Sequence, residues 1–285
     1  MKKVIYVLKW ACAFVLAAGI IIFSAAAIVS SSILSKDYML NKLEETNYYI
    51  NTYTQVIDDF ENYIYQSGLD KEVIDDIVSI EDIKKDTKTI ISNIYDGVNV
   101  KIDVDKVKEN LNNNISKSLE GSNISLATQK AIDSFVDKIT EQYKDSILHT
   151  NFEETIYEFI QKTEKFVGFA RTVSITIIGI SIIFILSAYY KKIWKNLAIL
   201  GIPFVSAGLF YELVDIYIKS RVKIANIVIL NDAITITIRT ILENVFNTIK
   251  ITGLLFIGVG ALLILIGNIV RAKKYKAHTK HKESK

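Results

Sequence analysis

Four long apolar stretches constrain this chain more than any other feature. They run from about Trp10 to Leu34, Phe166 to Tyr190, Ile193 to Leu213 and Ile251 to Val270. Each supplies the roughly 20 apolar residues with which an α-helix crosses a hydrocarbon core about 30 Å thick. The first carries no charge, and the second is broken only by Arg171 near its start. A backbone in lipid must satisfy its own hydrogen bonds, so each stretch reads as a transmembrane helix. The predicted fold class is an all-α integral membrane protein with about four transmembrane helices and a helical extracytoplasmic domain between the first and second.

Orientation follows from the cations. Lys2, Lys3 and Lys9 precede the first stretch, while Lys191, Lys192 and Lys195 fill the turn between the second and third. Arg271, Lys273, Lys274, Lys276, Lys280, Lys282 and Lys285 follow the fourth. With four spans all three clusters share one side, the positive-inside pattern, and both termini are cytoplasmic. Trp10, Tyr189, Tyr190, Trp194 and Tyr275 lie at that same boundary, where amphipathic rings settle. The predicted order is a cytoplasmic N-terminus (1–9), span one (10–34), an extracytoplasmic domain (35–165), spans two (166–190) and three (193–213), an extracytoplasmic amphipathic segment (214–250), span four (251–270) and a basic cytoplasmic tail (271–285). The competing reading of the first stretch is a cleavable signal peptide, with Ser24-Ala25-Ala26-Ala27 as the small-residue site. Its apolar run is longer than the 7–15 residues usual there, which favours an uncleaved anchor.

Charge is divided in the same way. Residues 35–165 hold 26 Asp and Glu against 15 Lys, a net of −11, while the whole chain is +3. The asymmetry reports topology rather than a nucleic-acid partner, and none is expected. The expected partners are membrane lipids, with anionic lipid at the tail's seven cations. A membrane-protein partner or a homo-oligomer is a further expectation. Cys12, the only cysteine, rules out an intrachain disulfide framework and reads as an inert thiol. The abundance of Ile, Lys and Asn beside a single Pro suggests a bacterium with an AT-rich genome.

Helical periodicity pervades residues 35–165. Tyr49, Tyr53, Val56, Ile57, Phe60, Tyr63 and Ile64 share a face, ended by Gly68. Ser79-Ile80-Glu81-Asp82 reads as a helix start before the stripe Ile80, Ile83, Ile90, Ile91, Ile94, closed by Gly97. Asp103 is expected to cap a helix bearing Val104, Val107, Leu111, Ile115 and Leu119, closed by Gly121. Ser125 opens another with Ala131, Ile132, Phe135, Val136, Ile139, Tyr143 and Ile147. Thr150-x-x-Glu153 is a capping-box pattern for a helix carrying Phe152, Ile156, Phe159 and Ile160 into the second span without a break. Another helix is expected to continue from the first span into this domain. Val98 to Ile102 alternates like a strand but reads as a linker. Asn231-Asp232 reads as a cap for a helix running into the fourth span, and residues 224–250 are expected to pack on the large domain or lie along the membrane surface.

The run YYINTYTQVIDDFENYIYQSGLDKEVIDDI, followed by EDIKKDTKTIISNIYDGVNVKIDVDKVKENL, resembles the extracytoplasmic region of uncharacterised multi-pass membrane proteins of Gram-positive bacteria. It covers under half of the chain and implies a location in the bacterial cell membrane, but no activity.

Catalytic constellations are missing from the sequence. No HExxH, GxSxG, Walker or GxGxxG pattern occurs, and no cofactor or metal is expected. His278-x-x-His281 lies in a cationic tail that opposes metal binding. Asp58-Asp59, Asp75-Asp76 and Glu81-Asp82 are adjacent acids, which on a helix diverge by about 100° and so form no carboxylate pair. Asp103-x-Asp105 lacks the other ligands of a calcium loop. The candidate residues are ionisable groups at the membrane edge, expensive there unless paired. Arg171 is expected to pair with Glu212 or Asp215, one turn apart at the end of the third span. Pro203, after Gly201, is expected to kink that span. Ala13-x-x-x-Ala17, Ala26-x-x-x-Ser30 and Gly253, Gly258, Gly260 and Gly267 offer small faces for close helix packing. The expected function is non-enzymatic, an interaction or sensing module. The alternative is a subunit of an oligomeric channel or transporter.

Overall fold

The computed structural model describes residues 2–67, 69–98, 102–120, 126–148, 153–188, 193–229 and 231–283. Every regular element among them is helical: α1 (Lys2–Ser31), α2 (Lys36–Glu45), α3 (Tyr48–Ser67), α4 (Ile80–Asp96), α5 (Asp105–Ser118), α6 (Leu126–Leu148), α7 (Glu153–Ala188), α8 (Ile193–Arg221) and α9 (Asp232–Glu283), with short 3₁₀ turns at Lys71–Ile74 and Ile224–Asn226. Four helices are long and apolar enough to cross a membrane, over Val7–Ser31, Thr155–Ser187, Trp194–Arg221 and Asp232–Lys274. The chain divides into two compact units.

The apolar unit comprises Met1–Ser32, Thr163–Ile227 and Ile241–Lys285. Within it α1 packs along α8, burying Ala13, Leu16, Ala17 and Ile20, with Leu16 and Ala207 almost fully enclosed. Ser24 Oγ and Tyr211 Oη lie 2.7 Å apart, and Tyr211 also donates to the Ile21 carbonyl. Small residues let α8 and α9 meet backbone to backbone. A Cβ on Gly201 would sit 2.6 Å from the Gly260 carbonyl oxygen, and one on Gly208 2.6 Å from that of Gly253. One on Gly267 would meet the Trp194 carbonyl oxygen at 2.8 Å. Gly201 and Gly208 stand seven apart, as do Gly253, Gly260 and Gly267, so successive contacts repeat every second turn of an antiparallel pair. Gly258 faces open space. The outward faces of α7 and α9 stay apolar and exposed, with Phe166 and Phe169 about 70% accessible. Such a surface suits lipid rather than water.

The acidic unit comprises Ile33–Lys162 and Val228–Thr240. Its core takes one stripe from each helix. These are Val56, Phe60 and Ile64 of α3, Ile83, Ile90 and Ile94 of α4, Val107, Leu111 and Ile115 of α5, and Phe135, Ile139 and Tyr143 of α6. Ser79 and Asp82 form a reciprocal capping box on α4, and Gly97 closes it at φ 71°. The second stretch enters the same core through Ala233 and Ile234, and Thr237 Oγ1 lies 2.8 Å from Thr46 Oγ1 in a buried pair. Residues 228–240 therefore pack in the acidic unit, while residues 224–227 and 241–250 of the same segment belong to the apolar one.

Several local expectations need correction. The first span does not run on into the domain: α1 ends at Ser31, and Ser35, extended at ψ 112°, accepts from the Tyr38 amide to start α2 afresh. Helix α5 begins at Asp105, because Asp103 Oδ1 accepts from the Asp105 amide and holds a turn just before it. Ile80, Ala131 and Phe159 are exposed, and Thr87 takes a place in the α4 stripe. Asp75 and Asp76 lie in a turn, with Asp76 at φ 55°, rather than on a helix. Helix α8 runs on past Leu213 to Arg221, with Pro203 inside it. Helix α9 does run without interruption from its Asn231 cap through the fourth apolar stretch, with the Ile234 amide donating to Asn231 Oδ1. Gly68, Gly121, Ser125, Thr150, Phe152, residues 99–101, the turn cations Lys191 and Lys192, and the side chains of His278 and His281 lie outside the described residues.

Candidate functional site

Polar groups in an apolar helical unit are the first candidates, since each must be paired, hydrated or in use. Asp215 is buried on α8 and pairs with Lys219, one turn on, at 2.7 Å. Its carboxylate is served within its own helix, the cheapest partner available because no second helix need be positioned. Glu212 points across to α9, where its Oε1 lies 3.1 Å from the position a Cβ on Gly253 would occupy. That oxygen is buried and accepts no hydrogen bond among the described residues. Arg171 is exposed on α7 and joined to neither acid. The three residues are thus distributed over three separate environments.

Arg171 instead lines a groove of about 700 Å³ in the apolar unit. Walls come from all four long helices: Ile20 and Ala27 of α1, Ile178 of α7, Phe204 of α8 and Phe256 of α9. Helix register orders them along its length. Gly19 faces Ile177 and Ile178, and the Phe204 and Phe256 rings meet edge to face at 5.9 Å, so these mark the apolar end. Ser30 and Ser31, with Arg171 and Thr252, lie toward the other end. Eleven residues separate Ile20 from Ser31, which at about 1.5 Å each gives a length near 16 Å. Most helical hydroxyls here, such as Ser24, Ser31 and Thr172, donate to a carbonyl one turn back, whereas Ser30 and Thr252 make no such bond. Sequence reading missed the groove because lining residues are chosen by rotation about each helix, and apolar spans without strong amphipathicity do not reveal that angle.

A smaller cleft of about 180 Å³ lies beside Asp215 and Lys219, lined also by Glu243, Asn247 and Lys250. At the opposite end of α8, Arg271 stacks over the Trp194 ring at 5.3 Å from its centroid. Besides the Thr46–Thr237 contact, the acidic unit buries a tyrosine–carboxylate pair. Tyr143, fully buried, donates to Asp86 Oδ2 at 2.6 Å. Burial pushes the Asp86 carboxyl above its ordinary range, against the opposing effect of the Tyr143 hydrogen bond. Burial likewise pushes the Tyr143 hydroxyl up, reinforced by the carboxylate it contacts. Among the described residues, no three His, Cys, Asp or Glu side chains converge as a metal-ligand set. Comparison of the chain with protein-family models, with curated proteins and with solved structures returns no match.

Proposed function

We propose that this chain is a non-enzymatic multi-pass protein of a bacterial cell membrane that displays its acidic helical unit outside the cytoplasm as an interaction or sensing module. The observation that carries the reading is the composition of that unit. It combines residues 33–162, between the first and second candidate spans, with residues 228–240, between the third and fourth. Both stretches fall on the same side when four spans are crossed in turn, and that is the side opposite the cation clusters. Their packing into one unit supports the reading in one respect, because two stretches that share a core must lie on the same side. Helix α1 buries Leu16, Ile20 and Ser24 against its neighbours, which supports a retained span rather than a cleaved leader.

Reconstitution tests this reading against the channel or transporter alternative. Purified protein, sized in detergent and placed in liposomes, should pass ions and small solutes no faster than protein-free vesicles. A specific flux that Arg171→Gln or Glu212→Gln abolishes would contradict the proposal and assign the chain to a transport assembly.

A further inference from the structure

We propose that the groove among α1, α7, α8 and α9 is a built-in site for one anionic phospholipid, which lays an acyl chain along the apolar wall and sets its phosphate against Arg171. Three observations carry the assignment. The groove is graded: Ile20, Ile178, Phe204 and Phe256 at one end, Arg171 with Ser30 and Thr252 toward the other. Its length near 16 Å and volume of about 700 Å³ fit a chain-shaped, amphipathic occupant, within the range usual for ligand pockets. Finally, its one cation is exposed at the groove and has no acidic partner among the described residues, although Glu212 and Asp215 lie on a neighbouring helix.

Charge chemistry then selects the occupant. A guanidinium presents a planar fork of donors that matches phosphate oxygens two at a time. The Ser30 and Thr252 hydroxyls, which make no bond to their own helix, are free to donate to the remaining headgroup oxygens. An uncharged lipid would fill the apolar wall yet leave Arg171 without an anion in surroundings of low dielectric, where an unpaired charge is costly. A zwitterionic headgroup would bring its own ammonium to compete for the same phosphate. This site is distinct from the basic tail, whose attraction to anionic lipid needs no groove, and it holds whether or not the acidic unit acts as a sensor.

Native mass spectrometry of the full chain, released from detergent after delipidation, provides the test. Phosphatidylglycerol, phosphatidylethanolamine and diacylglycerol of matched chains are added in turn. Binding is read in about 0.5 M salt, where the screening length is only a few Å and lipid held by the tail is released. The wild type should retain one phosphatidylglycerol, at an affinity at least tenfold above the other two lipids. Arg171→Gln should remove that preference, and Ala27→Phe, which puts a ring into the groove, should weaken phosphatidylglycerol binding at least tenfold with the tail untouched. Arg171 is exposed, so its variant keeps the packing, and unchanged melting temperatures establish that both variants are folded. Equal retention of all three lipids, or phosphatidylglycerol binding indifferent to both substitutions, would overturn the proposal.

Discussion

Asp86 and Tyr143 show how one buried contact makes a pH-dependent contribution to folding. The Asp86 carboxyl titrates higher when folded than its ordinary value of 3.8, because burial disfavours its charge. Folding therefore takes up a proton between the unfolded and folded values. The contribution of this group is full below the unfolded value and is lost as pH rises through the folded one. Asp86→Asn keeps an acceptor for the Tyr143 hydroxyl and discards the charge. It should melt higher than the wild type at pH 7, with the gap closing toward pH 4; a gap that widens in acid would contradict this. Tyr143→Phe leaves the half-buried carboxylate without its donor and should cost about 1–3 kcal/mol in chemical denaturation. At this scale the sequence was only partly legible. It marked Arg171, Glu212 and Asp215 as the ionisable groups of the apolar segments, but not which way each faces. Asp215 turned to Lys219, four residues away and visible in the sequence, because a partner on the same helix requires no second helix to be brought up. The Asp86 contact joins α4 to α6 across 57 residues, and nothing local announces it.

Between α8 and α9, the heptad spacing of glycines is the element-level feature with the sharpest consequence. Gly260→Ala would place its methyl 2.6 Å from the Gly201 carbonyl oxygen and 2.7 Å from the Val205 amide nitrogen. Backbone atoms cannot step aside as a side-chain tip can, so overpacking should cost about 1–3 kcal/mol. Gly258→Ala, pointing into open space, should melt like the wild type. Equal effects from the two substitutions would argue against the α8–α9 register. Small residues of the fourth span stood out in the sequence, yet the partners Gly201 and Gly208 did not, since pairing depends on an antiparallel register that only the folded pair fixes. The side-chain-capped starts at Ser79 and Asn231 were legible, whereas the one at Ser35, directly after an apolar run, was not. The core segment around Val73, Ile74, Ile77 and Val78 was not, because its apolar pairs follow a 3₁₀ turn and a loop rather than a 3.6-residue period. Asn110 and Asn114 of α5 hold that loop by donating to the Ile77, Val73 and Asp75 carbonyls. Helix α7 crosses residues 155–165 without a break. Amides there should exchange slowly in nanodiscs, and rapid exchange would reveal a loose tether in place of a helix.

For the molecule as a whole, the composition of the acidic unit matters most. A folded core drawn from residues 33–162 and 228–240 requires both connections on one side of the membrane, and the proposed topology puts the cationic tail on the other. Single-cysteine labelling in a Cys12→Ala background asks this directly. Ser118, exposed at the end of α5, and Val228, 77% accessible, report the two connections, and Lys280 reports the tail. An impermeant thiol reagent applied to intact cells should modify cysteines at positions 118 and 228 alike, and reach position 280 only after the membrane is opened. Labelling at 280 on intact cells, or protection of 118 and 228 from the reagent, would contradict the account.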